Sequence, residues 1–149
     1  MKKFIQKKLN QKGLTLVELL AVIVILGIIA AIAVPAIGNI ITNSKVSALK
    51  ADGQNAISAA NIYFAENTAT DNKVTTGVLK DDGYLEDTGG FGESEATISK
   101  GTGEVTTPTI TGTATNGNIS VEFTSATTAD INKIGNKNDT AVTTVVITR

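Results

Sequence analysis

The sequence predicts an α+β chain in which one long N-terminal α-helix, about residues 14–66, packs through its second half on a small antiparallel β-sheet of about four strands. Three observations predict it. An apolar run without a charged side chain extends from Leu19 to Gly38, and an amphipathic helical period follows it. Beyond residue 95 come short runs rich in Thr, Val and Ile, separated by turn-forming Gly and Asn. A chain of 149 residues has room for one modest domain and an appendage.

Charge is segregated as sharply as apolarity. Lys2, Lys3, Lys7, Lys8 and Lys12 precede Gly13 with no acid among them. Without these five the chain keeps eight basic side chains against fourteen acidic ones. An acidic body of this kind lacks the clustered Lys and Arg that bind phosphate backbones, so no direct nucleic-acid binding is expected. The chain has no Cys and no His, which excludes disulfides and thiolate metal sites and removes the commonest general base.

The head of the chain has the order of an export signal: lysines, then an apolar run long enough to cross a bilayer, roughly 30 Å for twenty helical residues. The positive-inside rule keeps the lysines in the cytoplasm and places the residues after Asn43 outside. Two plain readings fit. One is a secretory signal peptide cut after Ala33, since Ala31 and Ala33 give the small-x-small pattern; the other is a simple membrane anchor. Against the first stand the length of the run and Glu18, whose charge inside the apolar helix costs about 2 to 3 kcal/mol depending on depth.

The segment "KGLTLVELLAVIVILGIIAAIAVP" resembles the class III signal of type IV pilins and pseudopilins. A basic leader ends in Gly; a hydrophobic residue, Thr and a Glu follow; the apolar helix carries a Pro near its far end. The resemblance covers about residues 8–60. It implies a pilin fold and three segments: a removed leader (1–13), a transmembrane and filament-core helix (14–41), and a globular head (42–149) that includes the amphipathic half of the long helix. It further implies that a prepilin peptidase cuts between Gly13 and Leu14 and methylates the new Leu14 amine. Leu14 stands where the family usually has Phe.

The resemblance also supplies a partner for Glu18. After cleavage the helix begins with an ammonium at Leu14, one turn away, and both charges are costly in hydrocarbon unless paired. The pair can form within one chain, where the helix dipole also favours a carboxylate in the first turn, or between an incoming subunit's Glu18 and the terminal amine of a subunit already in place. The residues leave both open; the resemblance favours the second, which makes Glu18 the residue of assembly and register.

Beyond the apolar run, Val46, Leu49, Gly53, Ala56, Ile57, Ala60 and Phe64 recur at helical spacing, so one face of the continuation needs a globular partner. Gly27 and Pro35 interrupt the pattern. Pro costs about 3 kcal/mol in a helix interior and Gly up to about 1 kcal/mol. One consequence is a kink; the resemblance implies that residues 27–35 unwind in a packed filament.

In the head, "KVTTGVLKDDGYLED" predicts a short helix over Val78–Asp82, closed by Gly83, with Tyr84 and Leu85 turned back as anchors, and "EDTGGFGESE" a loop. Strand composition marks 96–100, 104–113, 118–124 and 141–148, with a hairpin turn at Asn116-Gly117 and a short helical turn between Ser125 and Thr140. Ile119, Val121 and Phe123 alternate with polar residues and predict a face against the long helix. Pro108 points to an edge strand or a bulge.

No catalytic cluster emerges. Asp81 and Asp82 are adjacent on a short helix and point in different directions. Asn136, Asn138 and Asp139 match no metal-binding loop, so no metal and no cofactor is expected, and the many Thr hydroxyls read as a solvated β-face. The expected protein is therefore no enzyme but the structural subunit of an extracellular type IV pilus: a single-span precursor, a homopolymer when mature. Its partners would be the membrane, the prepilin peptidase, and the pilus assembly platform with its ATPase. The alternatives are a pseudopilin of a competence or type II secretion system and an exported domain held by a plain anchor.

Overall fold

The computed structural model describes residues 2–67, 71–92, 95–101, 106–133 and 144–148. The architecture is α+β. A helix α1, Lys2–Glu66, precedes all the other elements. The chain divides into two compact units, Met1–Gly38 and Asn39–Arg149.

The helix starts earlier than the expected residue 14. Nothing in the leader stops it: Lys, Gln and Leu are good helix formers, and Gly13 costs only about 1 kcal/mol. Its end falls where the sequence places it, with the Asn67 N–H still donating to the Tyr63 carbonyl at 2.8 Å. Pro35 lies inside the helix without ending it.

In the second unit the sheet comprises β1 (Lys73–Thr75), β2 (Thr97–Ser99), β3 (Thr109–Asn116), β4 (Ile119–Ala126) and β5 (Thr144–Thr148), side by side in that order. The pairs β1/β2, β2/β3 and β3/β4 are antiparallel, so the expected four-stranded antiparallel architecture is present, with β1 in the place expected for the strand over 141–148. Two features lie beyond the expectation. The three-residue β1 is too short to show an alternating pattern, and β5 joins β4 in parallel. A parallel neighbour requires a crossover rather than a hairpin, and here the connection includes the short helix α3, Thr128–Lys133.

Pro108 corrects a strand boundary. The sequence places it within a strand over 104–113, whereas β3 begins at Thr109 and is central, bonded to both β2 and β4. A residue without an N–H cannot serve a ladder bonded on both sides, so the strand starts just after it. The hairpin turn also shifts by one residue. Asn116 pairs with Ile119, leaving Gly117 and Asn118 as the loop, and Gly117 takes φ +67°, the pattern of a type II′ turn. A bulge interrupts the other end of this pair. Ile110 faces Ala126 but Gly112 faces Phe123, and the Ser125 N–H donates to Thr111 Oγ1 at 3.2 Å with Ser125 at φ +50°.

The core lies between α1 and one face of the sheet. Val46, Leu49, Ala56, Ile57, Ala60 and Phe64 are buried on the helix, as their spacing predicts, and Ile119, Val121 and Phe123 meet them from β4. Full burial of each large side chain stabilises the fold by about 1.5 to 3 kcal/mol. Close approach is fitted by omission: a Cβ on Gly90 would collide with the buried Leu49 side chain.

The connection from β1 to β2 follows the predicted scheme. Helix α2, Thr76–Asp81, is capped by Thr75 Oγ1, which accepts from the Val78 N–H at 3.3 Å. Gly83 at φ +80° reverses the chain, so that the N–H groups of Tyr84 and Leu85 both donate to the Leu79 carbonyl, at 2.8 and 2.9 Å. Tyr84 then reaches the end of α1. Its hydroxyl donates to Glu66 Oε2 at 2.7 Å and accepts from Asn67 Nδ2 at 3.1 Å, and its ring meets Tyr63 edge to face at 5.4 Å. The Glu66 carboxylate that accepts this proton holds the Tyr84 phenol above its ordinary pKa. The following segment contains a 3-10 turn, Gly89–Phe91, that plugs the core with Phe91.

Candidate assembly segment

Every residue from 15 to 32 is exposed. The side chains are large and apolar: Leu16 is 68% exposed, Leu26 58% and Ile32 70%. Water cannot be their medium at such areas, since exposure forfeits about 25 cal/mol for each Å² of apolar surface. Length and composition suit this helix to crossing a membrane, where lipid or other helices cover the surface.

Glu18 is exposed on this helix and makes no ion pair with the side chains described from residue 15 onward. Leu14 stands one helical turn before it. In the uncleaved chain the Leu14 nitrogen is an amide, so the ammonium that Glu18 would pair with does not yet exist. Gly13 and Leu14 both fall inside α1, and the backbone is helical through them.

Gly27 and Pro35 likewise lie in unbroken helix. A Cβ on Gly27 would meet no atom within 4 Å, so nothing in the single chain uses the space that this glycine leaves. The single chain is helical across residues 27–35, and the resemblance implies unwinding only in a packed filament. Asn136, Asn138 and Asp139 lie outside the described residues. Asp81 and Asp82 end α2 at the surface, Asp82 as its C-cap. Among the described residues no group of three His, Cys, Asp or Glu side chains is placed to hold a metal ion.

The structure also shows a feature that no sequence pattern announces. In the head, a groove of about 470 Å³ runs between α1 and the segment after α2, floored by Ala59 and Ile62 and edged by Asp52, Glu86 and Asp87. Its acids are thirty-odd residues apart in sequence and are brought together only when the Asp52 carboxylate accepts the Gly90 N–H at 2.8 Å. Its one trace in the sequence is Ile62, apolar beside Asn55 and Ser58 on the polar face of α1.

A membrane-length apolar helical segment followed in the chain by a small α+β head defines a class of proteins with a membrane-suited N-terminal segment. The comparison with known families is more specific. The profile of the prokaryotic N-terminal methylation motif matches residues 8–34, a span that contains Gly13, Leu14, Glu18 and Gly27. No curated protein and no solved structure matches the chain. The chain thus carries a class III prepilin signal, the N-terminal segment of the type IV pilin and pseudopilin family, and is a type IV pilin-like protein. The motif implies processing by a prepilin peptidase and handling by an assembly machinery, and with the apolar helix it marks the precursor as a membrane protein.

Proposed function

We propose that this protein is the structural subunit of an extracellular type IV pilus, with no enzymatic activity of its own. It enters the membrane as a single-span precursor, is cut between Gly13 and Leu14, is N-methylated at Leu14, and polymerises through α1. The observation that carries this reading is the wholly exposed apolar stretch of α1 in a chain whose remaining residues fold into a head with its own core. Such a stretch has two stable surroundings, a bilayer and a bundle of its own copies.

Assembly exchanges the first for the second. Lipid tails are as apolar as Leu, so the transfer gains by close packing of side chains and by polar pairing rather than by leaving water. Glu18 supplies the polar pairing. The Leu14 amine of one subunit and the Glu18 carboxylate of the next neutralise each other in hydrocarbon, and a pair in the wrong axial position leaves both charges unmatched. Gly27 and Pro35 weaken the helix between them and permit it to unwind and stretch once packed.

Mass spectrometry of the mature protein tests the processing. A first residue of methylated Leu14 is the expected result; a start after Ala33 means simple secretion and an intact Met1 a plain anchor, and either would overturn the reading. Electron microscopy of the cell surface separates the two members of the family: long filaments labelled by antibody to the head mark a pilin, and processed protein without them marks a pseudopilin.

A further inference from the structure

Within the head, α1 is held from two sides. The Asp52 carboxylate accepts the Gly90 N–H at 2.8 Å, and Gln54 Nε2 donates to Asn132 Oδ1 of α3 at 2.6 Å. Two residues separate about 200° around a helix and only about 3 Å along it. The segment 84–90 and α3 therefore grip opposite flanks of α1 at the same height. Between them Ala51, Asn55, Ser58 and Ile62 form an uncharged, exposed strip, with Ile62 53% exposed.

The two flanks carry opposite charge. On one, Glu86 and Asp87 are exposed beside the groove floored by Ala59 and Ile62. On the other, the Lys133 side chain is 76% exposed. Its ammonium lies 3.5 Å from Asp130 Oδ1, at the long end of an ion pair, while the Thr127 hydroxyl donates to Oδ2 of the same carboxylate at 2.6 Å. An exposed pair of this kind is worth about 0 to 1 kcal/mol, so Lys133 is available to a stronger acceptor.

We propose that this face of the head is a contact between copies of the chain, in which Lys133 of one copy enters the groove of the next and pairs with Glu86 and Asp87. The proposal rests on the reading of the protein as a polymer subunit and says which parts of two heads meet. Exposed acids and an exposed lysine are common on any surface; these belong to two segments that bond α1 at one height on opposite flanks, with an uncharged strip between that another copy can approach closely. A two-fold arrangement would pair Lys133 and the groove of both copies reciprocally and stop at the dimer, so in a polymer the contact is head-to-tail. It uses one patch of each copy, leaves the other free for the next, and closes into a ring or continues as a helical filament according to the rotation between copies. The acids repel a second acidic groove, so groove does not meet groove.

Filaments sheared from cells producing the unaltered chain are treated with a zero-length carbodiimide reagent, and the dimer band is digested and sequenced. The expected result is a peptide joining Lys133 to Glu86 or Asp87 in the dimer band and absent from the monomer band. The absence of Cys from the chain permits a second measurement. The double variant Asp87→Cys with Lys133→Cys should give a non-reducing ladder of oligomers, and either single variant no more than dimers. Charge reversal by Lys133→Glu should lower filament yield on the order of tenfold, and Glu86→Lys with Asp87→Lys in the same chain should restore it. Filaments whose subunits begin at Leu14 but show neither the peptide nor the ladder would overturn the contact and leave the pilus reading standing. A crosslink from Glu86 or Asp87 to a foreign protein would overturn it in favour of another occupant. Unprocessed protein and no filament would remove the polymer reading and this contact together.

Discussion

Gly53 of α1 faces Phe123 of β4 so closely that a Cβ at this position would stand 2.9 Å from two carbons of the ring. The ring is 1% exposed and rests against Phe91, so it has nowhere to retreat. Helix α1 therefore meets the sheet through a residue that helix propensity disfavours. Gly53→Ala should destabilise the head by up to about 2 kcal/mol, because overpacking costs about 1 to 3 kcal/mol and the gain in helix propensity returns about 1 kcal/mol. Thermal unfolding of the full chain in detergent measures it, and a rise in melting temperature would contradict the packing described.

Gly27 is the contrasting case, since a Cβ there meets nothing in the single chain. Gly27→Ala should leave insertion and cleavage unchanged and add up to about 1 kcal/mol of local helix stability. If residues 27–35 unwind in the filament, the variant's filaments should extend less under force, as read in optical-trap stretching. A filament map with continuous helix from Gly27 to Pro35 would sink that unwinding.

Glu18→Ala should leave cleavage after Gly13 intact, because the cut bond is a turn away, while surface filaments fall at least tenfold if an uncompensated ammonium costs about 2 to 3 kcal/mol or more in hydrocarbon. Shearing, quantitative immunoblotting and terminal sequencing make the comparison. Normal filament yield would remove the role assigned to this carboxylate.

Asp52→Ala should cost about 1 to 3 kcal/mol. It removes a charged acceptor and leaves the partly buried Gly90 N–H unsatisfied. Hydrogen exchange should then show faster opening of the Gly89–Phe91 turn, with β4 protected much as before.

Asp130 predicts an acid transition. Its carboxylate accepts from the Thr127 hydroxyl and N–H at 2.6 and 3.1 Å, while the Asp130 N–H donates back to Thr127 Oγ1 at 3.2 Å, a reciprocal cap on α3. These bonds, with Lys133 nearby, hold the carboxyl below its ordinary value of 3.8. A lowered native pKa means that the stabilisation is fully present above the unfolded value and is lost as pH falls through the native one. Melting temperature against pH should therefore drop more steeply below about pH 4 for the unaltered chain than for Asp130→Asn.

The parts of this fold that were legible in the sequence are those carried by one chain segment at a time. The period of Val46, Leu49, Ala56, Ile57, Ala60 and Phe64 announces a helix face, the alternation of Ile119, Val121 and Phe123 a strand face, and Gly83 followed by Tyr84 and Leu85 a reversed helix end. Elements defined by pairing were not legible. Lys73–Thr75 is a strand because β2 lies beside it, and the parallel seat of β5 depends on a crossover that no local pattern encodes. Of the candidate site, the motif that contains Gly13, Leu14 and Glu18 was legible because it is contiguous. The groove beside Glu86 and Asp87 was not, because it exists only where a loop returns to α1.

The five strands lie side by side in the order in which the chain supplies them. A head threaded across a membrane from its N-terminal side can therefore pair each strand with the one that emerged before it, never holding an edge open for a segment still on the other side. On the proposed pilus reading, vectorial export and folding run in the same direction, and the brief life of each unpaired edge would protect the subunit from clumping before it reaches a growing polymer.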